Sequence, residues 1–146
     1  MLDKRNFYIN GQWTAPIKLN DFQVINPSNE EPCAIVSLGG VADVNSAVKA
    51  AKEAFSSWSQ TSKDEKISLI QKLYEIYKSR WSEMAESISL EMGAPIDWAS
   101  TAQTSSGAAH IKDFIKRLKE FKFELSFSNE SDNYIAYEPI GVCGLI

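Results

Sequence analysis

Histidine is almost absent from this 146-residue chain, with His110 its only example. A histidine titrates near neutral pH and can relay protons, but no second histidine, serine elbow or carboxylate at a telling spacing accompanies this one. His110 is therefore read as structural. Cysteine is nearly as scarce. Cys33 and Cys143 lie far apart in apolar settings, without the Cys-x-x-Cys or histidine spacing of a zinc or redox site, and both are expected to be buried free thiols. Long apolar runs are missing as well. Nothing approaches the roughly 20 residues that cross a bilayer, and Met1-Leu2-Asp3-Lys4-Arg5-Asn6-Phe7 has no signal-peptide core. No membrane partner is expected, and the location is expected to be cytoplasmic. Positive charge is also short: 15 Lys and Arg against 19 Asp and Glu give a net charge of -4. Nucleic-acid binding needs clustered basic residues on one face, so no nucleic-acid partner is expected.

What remains is ordinary globular material, 44% apolar and 23% charged, long enough for one domain. Residues 7 to 38 read as short antiparallel strands. Phe7-Tyr8-Ile9 and Gln12-Trp13-Thr14 flank Asn10-Gly11, the pair favoured in a type I′ hairpin because both positions need positive φ. Phe22-Gln23-Val24-Ile25 is a third strand, stopped by Asn26-Pro27-Ser28-Asn29. Cys33-Ala34-Ile35-Val36-Ser37-Leu38 is a fourth, stopped by Gly39-Gly40.

From Val41 the period becomes helical. Val44, Ala47, Val48, Ala51, Ala54 and Phe55 mark one stripe, expected to be buried, with Asp43 placed to accept free amides of the first turn. A second helix opens on the capping box Ser62-Lys63-Asp64-Glu65. Its stripe runs from Ile67 through Leu73, Tyr77, Trp81 and Met84 to Ile88, with room for a break between Ser79 and Ser82. Gly93-Ala94-Pro95 closes it and opens another helix over 96–121. The centre of that helix, Ser100 to Ala109, is small throughout, which either admits a closely packed neighbour or lines a cavity. Residues 112–122 read as a solvated amphipathic face.

Phe123 to Phe127 alternates with period two, Ser128 to Asn133 is a polar turn, and Tyr134 to Tyr137 runs back, giving a protruding hairpin that needs support. The chain ends on Ile140-Gly141-Val142-Cys143-Gly144-Leu145-Ile146. A continuous apolar run of this kind suits a strand covered on both faces in a parallel sheet, and the expectation is a front segment of a larger enzyme.

Tyr8 to Trp13, Val24-Ile25-Asn26-Pro27-Ser28, Asp43-Val44 with Ala47 to Ala51 and Ala54-Phe55, Trp58, Glu91-Met92-Gly93-Ala94-Pro95 and Glu138 to Ile146, in this order, resemble the N-terminal portion of the aldehyde dehydrogenase superfamily. The resemblance implies an α/β superfamily fragment. In it, 1–40 are antiparallel strands, 41–122 a mainly helical stack, 123–139 an oligomerisation ribbon and 140–146 the first strand of an incomplete Rossmann-like cofactor sheet. It also implies oxidation of an aldehyde to a carboxylic acid with NAD or NADP, and a homo-oligomer built through 123–139.

In that family a cysteine thiolate attacks the aldehyde, amide donors hold the oxyanion and a glutamate activates water. None of these catalytic residues is matched here. Cys33 and Cys143 lack the nucleophile's context, Gly141-x-x-Gly144 is no dinucleotide fingerprint, and the chain alone is expected to be inactive. Residue by residue, the resemblance carries over Ile146 as a cofactor-contacting position. It also carries over Ile25 and Glu91 as positions that in some relatives hold a monovalent cation through a carbonyl and a carboxylate. The alternative is a non-enzymatic interaction or oligomerisation module that uses the ribbon and the terminal strand.

Overall fold

The computed structural model describes residues 1–126 and 133–146. Five short strands open the chain: β1 (Leu2–Lys4), β2 (Phe7–Ile9), β3 (Gln12–Thr14), β4 (Asp21–Asn26) and β5 (Glu31–Ser37). Asn10 and Gly11 take φ of 51° and 75°, the left-handed values that a type I′ turn requires, and fold β2 antiparallel onto β3. β4 and β5 pair antiparallel, with an irregularity between Val24 and Ile25. Their connection turns on Asn26, whose side-chain oxygen accepts the Ser28 amide at 2.9 Å and whose carbonyl accepts the Glu30 amide at 2.8 Å.

The opening is not wholly antiparallel. β1 lies parallel to β5, with Leu2 opposite Ala34, and the sheet order is β1-β5-β4. Three exposed residues, two of them charged, carry no strand periodicity, so this pairing is a tertiary effect. Its anchor is Arg5, whose Nε and Nη2 donate to the two oxygens of Asp3 at 3.0 and 2.7 Å while Nη1 reaches Asp21 Oδ2 at 3.2 Å.

Five helices follow: α1 (Val41–Trp58), α2 (Lys63–Ser79), α3 (Trp81–Met92), α4 (Ile96–Trp98) and α5 (Thr104–Glu120). Ser62 Oγ accepts the Glu65 amide at 3.2 Å, the serine half of the capping box. The break between α2 and α3 falls at Arg80, where φ is -106° and ψ 25°. Gly93, at φ 71°, terminates α3 in the left-handed conformation that glycine adopts without a Cβ penalty.

The helix expected over 96–121 is not one uniform rod. Ala99–Gln103 forms a π-helical turn in which the Thr104 amide reaches back five residues to the Ala99 carbonyl. Two side chains brace that turn from outside. Trp81 Nε1 donates to Ser100 Oγ at 3.3 Å and the Tyr77 hydroxyl donates to the Thr104 carbonyl at 3.0 Å.

The core sits between α2, α3 and α5 and is made largely of small residues. Ala85, Ala94 and Ala99 form its densest cluster with Ile88 against them, and Ile67, Ala108 and Ile115 are buried on α2 and α5. Between the two readings of the small stretch, close packing is what the structure has. A side chain begun at Gly107 would stand 2.5 Å from the Tyr77 hydroxyl.

Several expected burials do not occur, Met84 on α3 among them. On α1 the buried residue is Asp43, while Val44, Ala47, Val48, Ala51 and Ala54 are exposed because the helix meets little of the described chain besides β2. On α2, Leu73 is exposed with Leu69 and Ile76, since only the opposite face of the helix meets α5.

β6 (Glu124–Ser126) and β7 (Tyr134–Ala136) pair antiparallel, and Tyr137 donates its amide to the Phe123 carbonyl at 2.8 Å. The polar turn read over 128–133 lies outside the described residues except at Asn133. An edge-to-face trio of Phe121, Phe123 and Tyr137 holds the ribbon at its base, and among the described residues the main contact of β6 and β7 is with each other. Residues 140–146 form no strand, and Ile140 and Leu145 are 92% and 96% exposed. A strand is defined by its neighbour, and among the described residues none lies beside this segment.

Candidate functional site

Asp43 is the most constrained polar group on the hairpin side of the molecule. Three residues into α1, it turns its carboxylate back over the helix start, where Oδ2 accepts the Gly40 amide and Oδ1 the Ile17 amide, both at 2.9 Å. The Ile17 bond, followed by the Gly40 bond, holds the carboxyl below its ordinary titration range. The first-turn role is legible from sequence. The tether to the loop after β3 is not, because Ile17 is distant in sequence and reaches Asp43 only through the fold.

Between β2 and α1 lies an apolar cleft of about 460 Å³, lined by Phe7, Ile9, Gly39, Asp43, Val44 and Ala47. It continues along the hairpin turn past Ala50, Ala51 and Ala54. A second, larger cleft of about 850 Å³ lies on the other side of the hairpin, among Asp3, Lys4, Arg5, Asn6, Trp13 and Leu19. Its charges answer one another. Arg5 holds Asp3 below its usual range, and the carboxylates of Asp3 and Asp21 hold Arg5 protonated. Neither cleft contains a cysteine or histidine, and no nucleophile stands beside a base in either.

The positions singled out from sequence lie on separate elements. Glu91 lies in the last turn of α3 and Ile25 beside the irregularity in β4, both exposed. α3 and β4 do meet at this corner, but the close approach is between Gly93 and Pro27, whose Cγ stands 2.7 Å from where a Gly93 side chain would begin. Ile146 is fully exposed. Cys33 is half-buried with Sγ donating to the Val24 carbonyl at 3.3 Å. Cys143 is exposed rather than buried, as the segment that carries it is unpaired. His110 is exposed on α5.

Among the described residues no three His, Cys, Asp or Glu are grouped to hold a metal ion, and no helix is long and apolar enough to cross a membrane. Gly141 and Gly144 have nothing within 4 Å of where their side chains would begin.

The chain is 39% identical over its whole length to 3-succinoylsemialdehyde-pyridine dehydrogenase of Pseudomonas sp, yet covers only 30% of that protein. It is 33% identical to a putative aldehyde dehydrogenase of Staphylococcus saprophyticus, again over 30% of its length. The crystal structure of an aldehyde dehydrogenase from Bartonella henselae superposes on 90% of the chain with a TM-score of 0.88 and 49% identity, using 28% of that subunit. Aldehyde dehydrogenase C of Pseudomonas syringae, solved with NAD+ and octanal, superposes on 85% of the chain with a TM-score of 0.83 and 38% identity, using 26% of that subunit. The chain thus spans about 30% of the length of the curated relatives it matches. The sequence model of the aldehyde dehydrogenase family matches residues 13–146, and the chain belongs to that family.

Proposed function

We propose that this chain is the front segment of an NAD(P)-dependent aldehyde dehydrogenase that oxidises an aldehyde to a carboxylic acid, and that by itself it is catalytically inert. The observation that carries this reading is the match along the whole chain to relatives about three times as long. Inertness follows from chemistry. Covalent aldehyde oxidation needs an activated thiolate with a base and oxyanion donors beside it, and neither Cys33 nor Cys143 has such neighbours among the described residues.

In this reading 1–122 are the part of the subunit that packs on the cofactor domain. Residues 123–139 are its oligomerisation ribbon, and 140–146 become a strand when the sheet beside them is present. Ile146 then contributes main chain near NAD or NADP, and Ile25 and Glu91 border a monovalent cation. The complete enzyme is a homo-oligomer of the cytoplasm.

The test is a spectrophotometric assay at the NADH absorbance band with short and medium aliphatic aldehydes. It compares the 146-residue chain with a chimera in which the rest of the Bartonella henselae subunit follows it. The chain gives no turnover and the chimera does; turnover by the homogeneous 146-residue chain refutes the reading.

The exposed ribbon and tail favour a second reading, a non-enzymatic interaction module that pairs through β6–β7 and 140–146. Light scattering separates the two, since the module is a stable oligomer at micromolar concentration without any added segment.

A further inference from the structure

We infer that Lys63 is the positioning residue that aims the β6–β7 ribbon, and that it thereby sets how tightly subunits assemble. The second half of this inference rests on the functional reading above, in which residues 123–139 are the oligomerisation ribbon.

The ribbon leaves the helical stack at the end of α5. A helix leaves its last four carbonyls without a partner inside it, and here the chain turns at Phe121 from helical to extended backbone, at φ -67° and ψ 129°. Lys63 grips that corner from another helix. Its Nζ donates to the Lys119 carbonyl at 3.1 Å and to the Phe121 carbonyl at 3.2 Å, one acceptor in the last turn of α5 and one just beyond it. The ammonium also answers the partial negative charge at the C-terminal end of α5, and a charged donor makes a stronger bond than a neutral one. Lys63 is the first residue of α2, where Ser62 Oγ accepts the Glu65 amide and fixes the helix start. The side chain therefore springs from a held backbone.

The corner passes this restraint on to the ribbon. The Phe121 ring meets Phe123 at 4.9 Å and Tyr137 at 5.5 Å between centroids, and the Tyr137 amide closes the base on the Phe123 carbonyl. All three rings are between 41% and 50% exposed, so burial alone gives the base little hold. A two-stranded ribbon has small stability of its own. With its exit angle fixed, it meets a partner without first losing orientational freedom.

The experiment reads the ribbon's direction from electron paramagnetic resonance distances between paired nitroxides on the 146-residue chain, with Cys33 and Cys143 replaced by serine. Lys72→Cys on α2 with Tyr134→Cys on β7 reports the ribbon, and Lys72→Cys with Lys116→Cys on α5 reports the helical stack; all three positions are exposed. Lys63→Met removes the donors and keeps an unbranched stem, whereas Lys63→Arg keeps both charge and donors. The expected result is a ribbon distance distribution about twofold broader in Lys63→Met, close to its original width in Lys63→Arg, and a stack distribution unchanged in both. In the chimera with the Bartonella henselae subunit, Lys63→Met raises the subunit dissociation constant at least about tenfold by analytical ultracentrifugation, and Lys63→Arg restores it.

An unchanged ribbon width in Lys63→Met overturns the inference. So does a stack that loosens together with the ribbon, since the lysine is then a general brace. A ribbon that loosens while assembly of the chimera is unaffected overturns the link to assembly. A chimera that forms no oligomer and shows no turnover even with Lys63 in place sinks the functional reading instead, and the distances in the 146-residue chain still decide what Lys63 does.

Discussion

The hydroxyl of Tyr77 donates to the Thr104 carbonyl at 3.0 Å while standing 2.5 Å from the point where a β-carbon on Gly107 would be. One aromatic tip thus fixes the spacing of α2 and α5 and supports the backbone just after the π turn.

Gly107→Ala tests that spacing. Overpacking a close contact costs about 1 to 3 kcal/mol, against a gain of up to about 1 kcal/mol from replacing glycine inside a helix. The net expectation is a loss of stability of up to about 3 kcal/mol, read by urea denaturation. Tyr77→Phe removes one hydrogen bond at about 1 kcal/mol and also removes the atom nearest the new methyl group. Gly107→Ala therefore costs less when combined with Tyr77→Phe than when made alone. Equal costs with and without the hydroxyl would show that it is not what the methyl meets.

Gly93 and Gly11 separate backbone strain from crowding. Both have positive φ, 71° and 75°, but a side chain at Gly11 meets nothing within 4 Å whereas one at Gly93 meets Pro27 Cγ at 2.7 Å. Gly11→Ala is expected to lose about 1 to 2 kcal/mol, the cost of a left-handed L-residue. Gly93→Ala adds a clash of about 1 kcal/mol or more to the same cost. Chemical denaturation of the two variants side by side reads the difference, and a smaller loss at Gly93 contradicts it.

These positions also mark what sequence conveys. Asn10-Gly11, Ser62 with Glu65, and Gly93 are legible because each is a local signal whose chemistry sets its own backbone. β1 is not, since Leu2–Lys4 become a strand only through β5 and the Arg5 bridges to Asp3 and Asp21. The π turn is not either, because its braces lie on α2 and α3, in Tyr77 and Trp81, rather than in residues 99–103. The stripe of α1 is apolar as its period says but not buried, for periodicity reports that a face wants a partner and not whether this chain supplies one. The same holds for 140–146. Ile25, Glu91 and Ile146 are available only through family resemblance.

The tail gives a prediction of no effect. Ile140 and Leu145 are almost wholly exposed, so Ile140→Ser/Leu145→Ser/Ile146→Ser removes no packing and changes folding stability by no more than about 0.5 kcal/mol. Solubility should rise, because an exposed apolar segment is a template for association. Denaturation midpoints and the sedimentable fraction at high concentration check both halves. A large drop in stability would mean that the tail packs against the body.

Asp43 makes the clearest pH prediction. Its folded-state pKa is depressed by the Ile17 and Gly40 amides, so the folded state binds its proton less readily than the unfolded chain, and stability rises with pH where the two differ. The contribution is complete at neutral pH. It begins to fall near the ordinary aspartate value of about 4 and is lost as pH drops through the lower folded-state value. Asp3, Glu83 and Asp113, each held down by a neighbouring arginine, slope the same way, so the diagnostic quantity is the stability difference between wild type and Asp43→Asn. That difference should shrink as pH falls from about 6 towards about 3. Salt distinguishes the sources. The arginine pairs are exposed and weaken at high ionic strength, whereas the Asp43 bonds run to backbone amides at a buried carboxylate and persist. A difference between wild type and Asp43→Asn that is flat across this range, or that disappears in about 0.5 M salt, would mean that the carboxylate does not hold the loop at Ile17 to the start of α1.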